Sequence, residues 1–253
     1  MSKLVTRATI DDTIGVLYTK EQADAIVAGY PAHEREARGK GIPQLGSGRV
    51  FPIDVDTIKC APFKIPAHFF QINGLDFGWD HPFGAVRCAY DADNDIFYVC
   101  AEYRQREQTP IVHAAAIKPW GAWIPCAWPA DGEGHEKGSG KPLAPQYREQ
   151  GLNMLESWAT FEEGGDTSKV SVEAGVMDML VRMQTGRFKV FETCGAYCDE
   201  VSYYHRVEGQ IVKLVDDLIS ASRYALMMKR FAVQDPGPGH DLTRPMHANL
   251  GIA

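Results

Sequence analysis

Apolar positions recur along the chain with two periods, two for strands and 3.6 for helices, and the switches between them mark the expected elements. HFFQINGLDFG (68–78) reads as a strand reaching Asp76, followed by a turn from Gly78 to Pro82. GAVRCAY (84–90) and DIFYVCAEY (95–103) are two further strands, joined by Asp91-Ala92-Asp93-Asn94, which suits a tight turn. Three strands in succession predict an antiparallel meander. Thr109-Pro110-Ile111 opens a helix to about residue 120, with proline in its first turn. WIPCAWP (123–129) is a short buried strand that ends at Asp131. A helix is expected over 143–151, a strand over 169–173, and a helix over 174–185 with Val176, Leu180 and Met183 on one face. Another strand covers 188–191, and helices over 196–207 and 213–230 follow. Leu214, Leu218, Ala221, Ala225 and Met228 form an apolar stripe on the last. Meander, helix, strand, then alternating helices and strands predict an α/β protein, a mixed central sheet flanked by helices.

Residues 1–63 are patterned differently. A helix is expected over 20–30 and a short charged one from Pro31 to Arg38; Gly39, Gly41, Pro43, Gly46 and Gly48 then break any regular element. This segment reads as a connector with no core of its own, the main domain spanning 64–233. The tail, 234–253, carries Pro236, Gly237, Pro238 and Gly239 and is expected to be flexible.

Composition narrows the function little. The 253 residues can bury one good-sized core. A formal charge of −7 excludes a protein that grips DNA by net charge alone, yet allows a local basic rim around a metal-neutralised acidic site. No apolar run is long enough to span a membrane, and the N-terminus has no signal-peptide pattern, so a cytoplasmic protein with no membrane partner is expected. Cys60, Cys88, Cys100, Cys126, Cys194 and Cys198 lack zinc-site spacing and read as reduced, mostly buried thiols. Trp120, Trp123 and Trp128, and Met177, Met179, Met183, Met227 and Met228, read as packing residues.

The chemistry lies in the acids. Asp76 and Asp131 each end an apolar strand, where a carboxylate is costly unless a cation or hydrogen-bond donors compensate it. Asp216 and Asp217 open the final helix, and either can project into the same space. Hard oxygen ligands from remote segments suit Mg²⁺ or Mn²⁺, and two such ions about 3.5–4 Å apart can activate water and stabilise a leaving oxygen. The structural alternative makes Asp76 a turn cap and Asp216-Asp217 favourable charges at a helix N-terminus.

Four segments carry a resemblance: GLDFGWDHP (74–82), WPADGEGHEKGSG (128–140), VEAGVMDMLVRMQTGRFKVF (172–191) and KLVDDLISASRYALMMKR (213–230). Together they resemble the C-terminal nuclease domain of the large terminase subunit of tailed bacteriophages. Residues 30–54 resemble the connector from the ATPase domain of such subunits. The resemblance implies an RNase H-like fold and two-metal cleavage of concatemeric viral double-stranded DNA during packaging, in the cytoplasm of the infected bacterial host. It implies as partners an ATPase domain absent from this chain, the portal protein and the small terminase subunit. Carried over by position, Asp76, Asp131 and Asp217 are the catalytic metal ligands, with Asp216 as the alternative to Asp217. Many relatives have a further acid where this chain has Ser220, so Glu173, or Asp80, is expected to complete the second ion's ligands. Asp80 has the alternative role of orienting His81 or capping the turn. The segment 135–142 lacks the first glycine and the terminal hydroxyl of a phosphate-cradling loop, so no nucleotide site is expected there. His135 and Lys137 are candidates for the scissile phosphate; Arg182, Arg187, Lys189, Arg206 and Lys213 are candidates for DNA backbone contacts. Two alternatives remain: a resolvase-type nuclease acting on branched DNA, and a non-catalytic module that docks DNA or the portal.

Overall fold

In the computed structural model, which describes residues 9–30, 39, 48–133, 142–160, 172–207, 210–212 and 215–237, the expected meander forms the centre of one sheet. Helix α1 (Lys20–Ala28) comes first, and the strands are β1 (Lys59–Cys60), β2 (Phe70–Asp76), β3 (Phe83–Asp91) and β4 (Ile96–Gln105). Helix α2 (Pro110–Ile117), β5 (Pro125–Ala127), α3 (Leu143–Glu149) and β6 (Asn153–Met154) follow. Then come α4 (Val172–Gln184), β7 (Phe188–Phe191), α5 (Gly195–Tyr203), the hairpin β8 (Arg206–Val207) and β9 (Gln210–Ile211), α6 (Asp217–Met227) and β10 (Val233–Gln234). The main sheet runs β1-β7-β4-β3-β2-β5-β6, with β10 also paired to β2. Within it β2, β3 and β4 are antiparallel, while β1 and β7 on one side and β5 and β6 on the other are joined by parallel pairings. The sheet is therefore mixed, as expected.

Helix α6 is what makes this sheet a platform. Leu218, Ala221 and Ala225 of the expected stripe are buried, but so are Ile219, Ser222 and Leu226, so the helix is enclosed nearly all round. It crosses β2 and β3 at close range because two strand residues lack side chains. A Cβ on Gly74 would overlap the Ala221 carbonyl, and one on Gly84 would lie 2.6 Å from the Asp217 carbonyl oxygen. Glycine in a strand normally weakens it; here it permits close backbone approach.

Three expectations need correction. The boundary at residue 63 cuts through the core: Val50, Phe51, Ile53, Val55 and Ile58 are buried in it, and Lys59–Cys60 pairs with Val190–Phe191. A parallel pairing of two residues leaves no local pattern to read. The segment 169–173 is not a strand at its described end, since Val172 and Glu173 open α4. The last helix starts at Asp217, after the β8–β9 hairpin, and α5 ends at Tyr203. The expected helix from Pro31, the residue Leu214 and most of the tail lie outside the described residues.

Other expectations resolve by burial. Trp128 is enclosed, its indole N–H donating to the Leu155 carbonyl at 2.9 Å, while Trp120 and Trp123 are half-buried. Met179, Met183, Met227 and Met228 pack inside, but Met177 is exposed. All six cysteines are free thiols, four of them buried. Among the described residues no helix is long and apolar enough to cross a membrane.

Candidate active site

β2 and β3 pair so that Asp76 faces Gly84, and Gly84 in turn carries the backbone of Asp217. This arrangement brings the end of a central strand and the start of a helix, remote in sequence, to one place. Asp131 arrives from the 3₁₀ turn Ala130–Glu133 that follows β5, itself parallel to β2. Asp76, Asp131, Asp216 and Asp217 line one cleft of about 360 Å³. Ser220 lines it too, so the place where the resemblance calls for another acid faces the same cleft and offers a hydroxyl.

The electrostatics are those of crowded like charges. Burial pushes the Asp76 carboxyl well above its ordinary value, and the charges of Asp131, Asp216 and Asp217 push it further, against the opposing charge of Arg223. Asp217 is also raised by burial, against the pull of His81. His81 Nδ1 lies 3.2 Å from Asp217 Oδ1, while Asp217 Oδ2 is buried with no hydrogen-bond partner. Such an atom costs free energy unless something else compensates it. Asp216 hydrogen-bonds the Tyr204 hydroxyl, which burial and the Asp216 charge raise above the usual phenol range. Among the described residues no three His, Cys, Asp or Glu side chains already stand close enough together to hold a metal ion. The donor set, hard carboxylate oxygens with one orphaned and buried, fits a hard divalent cation.

Of the sequence candidates, the structure brings Asp76, Asp131, Asp216 and Asp217 together and leaves Glu173 out. Glu173 makes a two-pronged ion pair with Arg206, at 2.7 and 2.5 Å, and does not line the cleft. Its placement at a strand end was the mistaken premise. Asp80 lines a neighbouring hollow of about 600 Å³, which shares Phe77, His81 and Asp131 with the cleft and carries the exposed Trp79. The basic candidates are mostly held within the fold. Arg182 is buried and bonded to Asp95 and Asp178, Arg187 bonds Asp95, and Lys189 donates to the Thr57 carbonyl. A buried, paired Arg182 is not a free DNA contact. His135, Lys137 and Lys213 lie outside the described residues.

Pattern reading missed Arg223, Tyr204 and Glu200. Arg223 carries a weak trace, since Leu218, Ala221, Ala225 and Arg223 share a helix and only a cation would look out of place among them. Glu200 leaves none. It is fully buried, and its Oε2 accepts from the Leu218 and Ile219 amides at 2.8 and 3.1 Å while Oε1 accepts from Arg104 Nη1 at 2.6 Å.

Comparison with known proteins identifies the family and the fold. Residues 73–229 match the family model described as the terminase RNaseH-like domain. The large terminase subunit of Salmonella phage P22 is 48% identical over 216 residues, covering 85% of this chain and 42% of that protein. This chain thus spans less than half the length of the curated relative. The solved nuclease domain of the P22 large terminase superposes with a TM-score of 0.68 at 45% identity, over 75% of this chain and 96% of that one. The nuclease domain of the bacteriophage SPP1 large terminase, solved with bound Mn, has a TM-score of 0.50 at 18% identity, over 68% of this chain and 95% of that one, a likeness of fold.

Proposed function

The chain belongs to the terminase RNase H-like family, and from that premise we propose that it is a divalent-metal-dependent endonuclease cutting concatemeric viral double-stranded DNA during packaging. The observation that carries this reading is the cleft itself, where Asp76, Asp131, Asp216 and Asp217 converge from β2, the turn after β5 and the head of α6. In this reading Asp76, Asp131 and Asp217 hold two Mg²⁺ or Mn²⁺ ions, with Asp216 at their flank. Divalent ions, when bound, supply the Lewis-acid charge that phosphodiester hydrolysis needs. Asp217 offers its orphaned Oδ2, and His81 fixes the carboxylate's orientation through Oδ1. The adjoining hollow with Trp79 accommodates DNA flanking the scissile phosphate. The Mn in the SPP1 nuclease domain supports the choice of metal at the level of a shared fold. Since the P22 relative is more than twice as long, the ATPase domain, the portal protein, the small terminase subunit and action in the host cytoplasm all belong to the proposal.

The test is nicking of supercoiled plasmid by purified protein with Mn²⁺ or Mg²⁺, abolished by EDTA and by Asp76→Ala. Undiminished cleavage by a folded Asp76→Ala protein would remove Asp76 from the mechanism. One observation favours a second reading, a module that docks DNA or the portal without cutting: Ser220 stands in the cleft in place of an acid. Calorimetry that detects no Mn²⁺ binding would promote it. A marked preference for four-way junctions over linear duplex would instead favour the resolvase reading.

A further inference from the structure

A helix usually satisfies its own first-turn amides with the side chain of the residue just before it, and aspartate is among the preferred caps. Helix α6 does not. Asp216 occupies the cap position but makes no side-chain bond to the helix, and it lines the cleft. The amides of Leu218 and Ile219 are taken instead by Glu200, from the adjacent helix α5. Burial pushes the Glu200 carboxyl up to about 7, while among the described residues two amides and the Arg104 guanidinium donate to its oxygens and favour the carboxylate.

The support continues back to the sheet. Arg104 lies on β4 two residues from Glu102, on the same face of the strand. Glu102 itself accepts from the Ala196 and Tyr197 amides at 3.0 and 2.7 Å, capping α5 as Glu200 caps α6. A central strand therefore fixes α5, and α5 fixes the head of α6.

Burying a carboxylate to do what Asp216 could do locally costs free energy, so the arrangement calls for a gain elsewhere. We propose that Glu200 is a positioning residue for metal capture: by capping α6 from α5, it leaves Asp216 and Asp217 turned to the cleft and cancels the positive helix end that would oppose cations there. The proposal rests on the metal reading of the cleft. A helix N-terminus carries about half a positive charge, and this one begins at Asp217 itself. Removing Glu200 exposes that charge and frees the Leu218 and Ile219 amides for the Asp216 side chain, which draws a carboxylate away from the ions.

The test is Mn²⁺ calorimetry on the wild type, Glu200→Gln and Glu200→Ala, with circular dichroism to confirm folding. The glutamine variant keeps one acceptor oxygen for the two amides but loses the charge and turns an NH₂ toward Arg104, and Mn²⁺ affinity is expected to fall roughly 3- to 10-fold; the alanine variant is expected to lose more than about 10-fold. Plasmid nicking by Glu200→Gln should recover toward the wild-type rate as Mn²⁺ is raised, as weakened metal capture requires. Unchanged Mn²⁺ affinity in a folded Glu200→Gln protein overturns the proposal and leaves the metal site standing. Absence of Mn²⁺ binding in the wild type overturns both. Should the alanine variant fail to fold, the glutamine comparison decides alone.

Discussion

The substitution Gly84→Ala tests whether the sheet sets the distance between the acids. Gly84 is the register partner of Asp76 on β3 and carries the Asp217 backbone on its other side. A Cβ there would stand 2.6 Å from the Asp217 carbonyl oxygen, 2.7 Å from its carbonyl carbon and 3.0 Å from its Cβ, where ordinary contact begins at 3.4 Å. The first turn of α6 must therefore retreat by several tenths of an ångström, carrying Asp217 away from Asp76. Overpacking of this size costs about 1–3 kcal/mol, partly offset by the roughly 0.5–1 kcal/mol that alanine gains over glycine within a strand. Net destabilisation is thus expected to be about 1–2 kcal/mol, small enough for the protein to stay folded. The catalytic cost is larger, because a misplacement approaching 1 Å at a reacting centre costs on the order of 100-fold. Urea unfolding, Mn²⁺ calorimetry and plasmid nicking on one preparation read the three quantities. The reasoning fails if Gly84→Ala nicks at the wild-type rate with wild-type Mn²⁺ affinity. It also fails if nicking falls only in proportion to the unfolded fraction.

Two further outcomes follow from the same electrostatics. Because the Asp76 carboxyl is raised in the fold, this group binds more protons in the metal-free protein than in the unfolded chain above about pH 4, so its contribution to stability is greatest at low pH and falls as pH rises through the shifted value. Asp76→Asn should flatten that decline while removing metal-dependent nicking; thermal melts in EDTA across pH 5–8 check this, and parallel curves for the two proteins would refute it. Glu173→Ala should leave Mn²⁺ affinity unchanged and cost no more than about 1 kcal/mol, since the Glu173 side chain is more than half exposed in its pair with Arg206. A clear loss of Mn²⁺ affinity would return Glu173 to the ligand set.

What was legible in the chain depended on how local its cause was. The meander of β2, β3 and β4 could be read because alternating apolar positions and a polar turn lie within forty residues. Helix α6 declared itself by its stripe, although burial all round hid where it begins. Asp76 and Asp131 were legible because a carboxylate ending an apolar strand is an expense that asks for a reason. Glu173 shows the limit of that rule: KVSVE alternates like a strand, but the described end of it folds as helix, and its carboxylate turns to Arg206. Arg182 looked like a surface cation because nothing local announces Asp95, eighty-seven residues away, as its partner. Residues 50–60 were assigned to a connector because the glycines before them outweighed a few apolar positions whose partners lie on β7.

Glu200 marks a deeper limit. Its role is set by three groups, one on β4 and two on α6, none near enough in sequence to leave a spacing. The cleft acids and their supports obey opposite rules. Burial raises Asp76, Asp217 and Glu200 alike, but Asp217 keeps one oxygen without a partner, whereas Glu200 and Glu102 have donors at both oxygens. Carboxylates satisfied within the protein make poor ligands, because a cation must first displace their hydrogen bonds. Those left short of partners lose little when a cation arrives. Hydrogen-bond satisfaction, more than the mere presence of acids, thus separates the residues that can bind from those that hold them in place. On that criterion Asp217, with one oxygen on His81 and the other orphaned, is the acid most clearly reserved for a ligand.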